Sequence, residues 1–244
     1  MNAAILTYHH VAPVPGGCPD PHLYVSPGDF SAQMDILCRD GYEVVSLERL
    51  RRGLLGLEQP ARRWVAITFD DGFEDNHTYA FSKLRDMGYT ATFFMVSGMV
   101  GRRDEDGRQY LTAEQLREMA GAGMNIGSHT QRHVRLARLA PDEMDREVRE
   151  SKKELEMISG VGVDWFCYPF GSFSRDIAKR VENAGFHGAT SVIRDNRVRA
   201  EQMYYLPRVM VMGQTSIRRF RYYFSAWYHY LHHWKNRRRW RDYI

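Results

Sequence analysis

The chain has 244 residues, 43% hydrophobic and 13% aromatic, enough for one large domain with a sizeable core. Its three cysteines (Cys18, Cys38 and Cys167) include no CxxC pair, which argues against a disulfide framework or a thiolate zinc knot. Net charge is +4, yet residues 218–244 hold eight Lys or Arg against one Asp, so this tail carries +7 and the rest of the chain −3.

The N-terminal MNAAILTYHHV lacks the basic and apolar regions of a signal peptide. No stretch approaches the ~18 consecutive apolar residues of a membrane span. The expectation is a cytoplasmic chain, soluble or peripheral at the inner face of the cell membrane.

Taken in order, residues 3–10 (AAILTYHH) predict a strand. Residues 26–42 predict a helix, with a Ser-Pro start, apolar residues at Phe30, Met34 and Leu37, and a Gly stop. EVVSL (43–47) is short and β-prone. WVAITF (64–69) is a nearly continuous apolar run, as in a strand buried on both faces. A helix over 76–89 and a strand over 91–97 follow. Residues 112–124 predict a helix whose Thr112 and Gln115 have capping-box spacing. Next come a strand at 124–129, a long amphipathic helix at 140–160, a strand at 164–171 and a helix at 174–185. Strands at 188–193 and 204–211 and a helix from Thr215 complete the pattern. Such alternation predicts βα units around a parallel sheet, seven or so closing into a barrel-like layer. The division expected is one domain over 1–214 and a C-terminal appendage over 215–244.

Functional groups of such folds gather at the C-terminal ends of strands. Asp70-Asp71-Gly72 lies at one such end, His9-His10 at another, and His129 and Tyr168-Pro169-Phe170-Gly171 at two more. A plain account of the doublet is a helix cap and a turn. A chemical account joins it to His129 and His133, whose spacing of four on a helical turn puts both imidazoles on one side. Two His and one Asp make an open metal site. One Asp then binds the ion while its neighbour accepts a proton from water.

Three motifs carry a family resemblance. Thr68-Phe69-Asp70-Asp71-Gly72 resembles the TFDDG motif of the polysaccharide deacetylases (the NodB homology domain, carbohydrate esterase family 4). Ser128-His129-Thr130-Gln131-Arg132-His133 resembles their H-[ST]-x-x-H motif, and Tyr168-Pro169-Phe170-Gly171 their Pro-[Tyr/Phe]-Gly motif. Order and spacing match, over roughly residues 3–212. The resemblance implies an α/β fold, a distorted (β/α)7 barrel, and hydrolysis of an N-acetyl group from an amino sugar. It implies Asp70 as general base and Asp71, His129 and His133 as the ligands of a divalent metal, Zn²⁺ by default, with Co²⁺ or Ni²⁺ as alternatives. The Phe170 N–H would stabilise an oxyanion, and Tyr168, Pro169 and Phe170 would line the sugar groove.

The sequence departs from the family at two points. Many members carry an Arg where this chain has Cys167, and a late Leu-x-His motif that this chain lacks. The opening LTYHHV and the segment YLPRVMV resemble a subgroup that includes the poly-N-acetylglucosamine deacetylases. By that resemblance His9 supplies the acid and Arg208 pairs with Asp70, while His10 points to the opposite face. His77 is expected to be an unpaired residue at a solvated helix start, and Cys167 a small buried residue.

The tail, if helical, sets aromatics beside cations, as at an anionic membrane surface. The alternative is a helix that packs its aromatics on the barrel. Partners expected are an N-acetylated glycan or a polyprenyl-linked sugar, with possible membrane contact and no nucleic acid. The rival readings are hydrolysis of a non-sugar or cyclic amide, and a membrane or nucleic-acid binding module led by the tail.

Overall fold

The computed structural model of the protein describes residues 3–243, and side chains through Asn236. Part of the basic tail, residues 237–244, lies outside the described side chains. In chain order the strands are β1 (Ala3–Tyr8), β2 (His10–Val11), β3 (Tyr24–Val25), β4 (Tyr42–Val44), β5 (Arg63–Phe69), β6 (Thr92–Met95), β7 (Asn125–Ser128), β8 (Trp165–Cys167), β9 (Gly188–Arg194) and β10 (Leu206–Met210). The first strand joins β5 on one side, from Ala3 opposite Trp64 to Tyr8 opposite Phe69. On its other side it joins β10, with Leu6 opposite Val209. The strands β5 to β10 pair in sequence, so seven parallel strands close into a barrel, as expected.

The expected strand at 43–47 is not a stave of that barrel. It appears as β4, which pairs only with the first half of β5 (Tyr42 with Arg63, Val44 with Val65). The second half of β5 pairs with β6 instead. Closure thus leaves β4 as an outer edge, which no local pattern could announce.

The helices are α1 (Pro27–Arg39), α2 (Leu47–Leu54), α3 (Ser82–Asp86), α4 (Ala113–Gly121), α5 (Pro141–Ser159), α6 (Arg175–Asn183), α7 (Ile217–Tyr222) and α8 (Ala226–Tyr243). The capping box of Thr112 and Gln115 forms. The sequence reading missed α2, because it buries only Leu47 and Leu50, too few to show a helical period. The helix expected from residue 76 begins with a wide π turn, Asn76–Phe81. There the fully buried Asn76 turns its amide to the His9 carbonyl, 2.8 Å away.

Packing occurs in two layers. Inside the barrel, Ala3, Ile5, Trp64, Ala66, Phe94, Trp165, Cys167 and Leu206 form one cluster. Outside, between strands and helices, a larger cluster includes Phe30, Leu37, Phe69, Phe93 and Phe166. Phe220, Tyr223 and Tyr228 belong to that same cluster. Residue 214 is therefore no packing boundary, and α7 and the start of α8 are part of the outer layer. Arg221 donates two hydrogen bonds of 2.9 Å to Asp40, and the Asn196 amide donates to the carbonyls of Tyr223 and Ser225. The opposite face of α8 exposes Trp227, Tyr230 and Trp234.

Candidate metal centre and catalytic site

The backbone gives the two adjacent carboxylates different surroundings. The Asp70 N–H still follows β5, donating to the Tyr8 carbonyl at 3.0 Å. Asp71 then takes a left-handed conformation (φ +73°), and Gly72 another (φ +85°). A non-glycine residue held there costs on the order of 1–3 kcal/mol, and such strain clusters at functional sites. At Gly72 a Cβ would lie 2.3 Å from the Met95 methyl carbon, so the tight turn also needs glycine for space.

Asp70 is buried, and the guanidinium of Arg208 donates to it twice, at 2.7 Å to each carboxylate oxygen. Arg208 is itself pinned in place. Its Nε donates to the Ser191 carbonyl (3.0 Å), its Nη1 to the hydroxyls of Thr7 (3.0 Å) and Thr68 (3.2 Å), and its Nη2 to Cys167 Sγ (3.2 Å). Burial pushes the Asp70 carboxyl up, but the charge and hydrogen bonds of Arg208 outweigh it and hold the group below its usual range. Asp70 is thus a fixed, ionised carboxylate.

Asp71 faces the histidines. Its Oδ1 lies 3.4 Å from His129 Nε2 and 3.3 Å from His133 Nε2. One ligand atom from each of the three residues lies within 4.8 Å of the others. Ligands at ~2.0–2.1 Å around a tetrahedral ion stand roughly 3.3–3.4 Å apart, so these separations suit one ion among the three. The tautomer agrees. His129 Nδ1 lies 2.7 Å from the Cys167 carbonyl, which can only accept, so Nδ1 carries the hydrogen and Nε2 offers its lone pair. Burial raises the Asp71 carboxyl, but its two imidazole partners hold it well below the usual carboxylate range.

The expected helical turn for His129 and His133 is absent. The segment is a loop in which Thr130 (φ +65°) and His133 (φ +55°) are both left-handed. The spacing of four works because the loop is held from several sides. The Thr130 hydroxyl accepts from the His133 N–H at 3.0 Å. Glu147 of α5, 1% exposed, accepts the N–H groups of Gln131 and Arg132, both at 3.0 Å, and pairs with the Arg132 guanidinium. Sequence reasoning missed Glu147. The signal was a carboxylate in the buried stripe of α5, beside Val148, Ser151 and Leu155.

The third motif needs correction. Tyr168 is fully buried, packs on Phe166 and Phe173, and donates from its hydroxyl to the Tyr204 carbonyl at 2.8 Å. Pro169 is buried as well. Neither side chain lines a groove; they hold the turn from below, because strand alternation sends Tyr168 to the core. Phe170 alone projects, 49% exposed, its ring 4.6 Å from that of His133 and 4.2 Å from the Arg135 guanidinium. Its backbone is left-handed (φ +57°), and among the described residues its N–H donates to no acceptor.

His9 lies within the electrostatic reach of Asp71, Asp70, Arg208 and His129. Burial pushes its imidazole down against the pull of the two carboxylates. Its Nδ1 is buried and has no protein partner among the described residues. His10 does point away, stacked between Tyr24 and Phe73 at 3.9 Å from each, with Nδ1 2.6 Å from Asp75. His77 is not unpaired: its Nε2 lies 2.9 Å from Glu118. Cys167 is a fully buried residue, as expected.

A model of the polysaccharide deacetylase family matches residues 58–189 of this chain. The chain belongs to that family. It is 31% identical over 212 residues to YxkH of Bacillus subtilis (strain 168), provisionally named a polysaccharide deacetylase. That match covers 87% of this chain and 72% of YxkH. It is 25% identical over 168 residues to a peptidoglycan-N-acetylglucosamine deacetylase of Bacillus cereus, a match covering 68% of this chain and 57% of that protein. Its fold is similar to that of the Streptococcus pyogenes deacetylase PplD, solved in complex with acetate. The TM-score is 0.84 at 23% identity, covering 92% of this chain and 99% of PplD. The barrel is thus that of the NodB-type deacetylases.

Proposed function

We propose that this protein is a metal-dependent hydrolase that removes the N-acetyl group of an N-acetylhexosamine, in a glycan or a lipid-linked sugar, and releases acetate. One observation carries the reading. Neighbouring aspartates are separated into two roles, Asp70 against Arg208 and Asp71 against His129 and His133.

Asp71, His129 and His133 would hold the ion, Zn²⁺ being the default for an open His₂Asp set, with Co²⁺ or Ni²⁺ as alternatives. When bound, a divalent cation there polarises the amide carbonyl and acidifies water near pH 7. Asp70, kept ionised by Arg208, takes the proton of the attacking water. Arg208 acts through Asp70, as a positioning residue. The Phe170 N–H meets the negative charge that develops on the carbonyl oxygen. His9, whose buried Nδ1 has no protein partner among the described residues, hands a proton to the departing nitrogen. The exposed Phe170 ring offers a flat apolar face to the sugar.

The test is acetate release from N-acetylglucosamine oligomers and lipid-linked N-acetylhexosamines, before and after chelation. The expected result is release that chelation abolishes and Zn²⁺ restores. Undiminished release by metal-free protein would overturn the metal assignment.

A further inference from the structure

Beside the site, the same rim holds a cavity of about 510 Å³ lined by Val192, Arg194, Met210, His232, Lys235 and Asn236. That volume is within the range of roughly 300–1,000 Å³ typical of small-molecule sites. The cavity adjoins the catalytic groups at two points. A Cβ on Gly171 would lie 2.1 Å from Val192 Cγ2, so Val192 abuts the turn that carries Phe170. Met210 is paired with Thr7, two residues before His9, and the Thr7 hydroxyl accepts from Arg208. Strand alternation turns Val192 and Arg194 to the open side, because Ile193 between them is buried in the helix-side core.

The opposite wall is α8, fixed at two places. The buried Asn236 amide donates to the Arg194 carbonyl at 3.0 Å, and His229 Nδ1 lies 2.7 Å from Asp195. This is a built wall, with His232 and Lys235 held over the strand ends.

Its charge is one-sided, with no carboxylate in the lining. Arg194 and Lys235 pair with no carboxylate among the described residues, so both charges are free to face an anion in the cavity. Another cavity, near β2 and β3, has Glu74, Asp75 and Asp106 with Arg108 in its lining, so the one-sided positive charge is not general to the cavities of this fold. Like charges gathered in a concave wall concentrate an anion-attracting potential.

We infer that this cavity binds a phosphate ester of the substrate. The sugar lies over Phe170, and the phosphate lies between Arg194 and Lys235. The inference rests on the deacetylase reading above and narrows its substrate class to phosphorylated N-acetylhexosamines.

The test measures calorimetric binding of N-acetylglucosamine 1-phosphate and of N-acetylglucosamine to the wild-type chain and to the Arg194→Gln/Lys235→Gln variant. The wild type should favour the phosphate form about tenfold, an advantage weakened by salt, and the variant should lose most of it. Equal affinities in the wild type, or a preference that survives both substitutions, would overturn the subsite. Both side chains are exposed, so an unchanged thermal midpoint should show that the variant folds.

Acetate release is followed in the same samples. Phosphate preference without release would support the subsite and count against deacetylation of this sugar; release without preference would sink the subsite alone. A polyprenyl-phosphate-linked N-acetylglucosamine separates the sources. Binding a further tenfold tighter than the soluble phosphate supports the subsite and assigns a lipid carrier. Equal binding supports it with a soluble sugar phosphate.

Discussion

Among the described residues two sets join one aspartate to two histidines spaced four apart: Asp71 with His129 and His133, and Asp195 with His229 and His233. The second pair lies on a helix, α8, at adjacent turns, the arrangement that a spacing of four favours. The distances favour the first. In the first set the oxygen–nitrogen distances are 3.3–3.4 Å, the spacing of ligands around an ion. In the second, Asp195 Oδ1 lies 2.7 Å from His229 Nδ1, a direct hydrogen bond with no room for an ion between. The same oxygen also accepts the N–H groups of Asn196 (2.7 Å) and Arg197 (3.2 Å). An acceptor already filled by the backbone is a tether, whereas Asp71 faces two nitrogens that the surrounding loop holds in place.

The largest effect should come from damaging the first set. Asp71→Asn or His129→Ala should cut acetate release by roughly 10³-fold, since a metal supplies several kcal/mol of stabilisation in such reactions. Bound metal, measured by elemental analysis, should fall from one ion per chain to none. His233→Ala should leave that one ion in place; its loss there would reverse the assignment of the two sets.

Arg208→Gln tests the neighbouring carboxylate. Breaking a buried ion pair should cost about 3–5 kcal/mol in a denaturation experiment. Because Arg208 is what holds the Asp70 pKa down, its loss leaves burial to raise it. The acid limb of kcat/KM should therefore move to higher pH. In the wild type the pair's stabilisation is present above the unfolded carboxyl value, about 3.9, and is lost as pH falls through the lower folded value. An unmoved acid limb would mean that Asp70 is not the base.

His229→Ala should cost about 1 kcal/mol of stability through the lost bond to Asp195, whose oxygen keeps its backbone donors, with metal content unchanged. The smallest contrast is within the third motif. Phe170→Ala should raise KM a few-fold with little change in thermal midpoint. Tyr168→Phe should do the reverse, losing about 1 kcal/mol of stability with its bond to the Tyr204 carbonyl. A KM effect at Tyr168 would contradict its burial.

Much of this was legible in the residues. Alternating apolar strands and capped helices announced a parallel barrel, because each segment's period reports its own buried face. The motifs named Asp70, Asp71, His129 and His133 in the right order. Arg208 was legible only as a substitute for an arginine missing at Cys167, and the structure brings Arg208, Cys167 and Asp70 into contact. Tyr168 was misplaced because a motif marks a turn without saying which of its side chains faces outward.

By itself, then, the sequence determined the strand and helix pattern, the chemistry of the donor set and the unevenness of charge, because these are local properties of neighbouring residues. Tertiary structure decided that β4 stays outside the barrel and that the His129–His133 segment is a loop braced by Glu147. It also decided that two similar His–Asp patterns have different geometries, and that α8 walls a cationic cavity. Each of those depends on which distant groups already occupy a hydrogen-bonding partner, and occupancy is set only when the chain closes on itself.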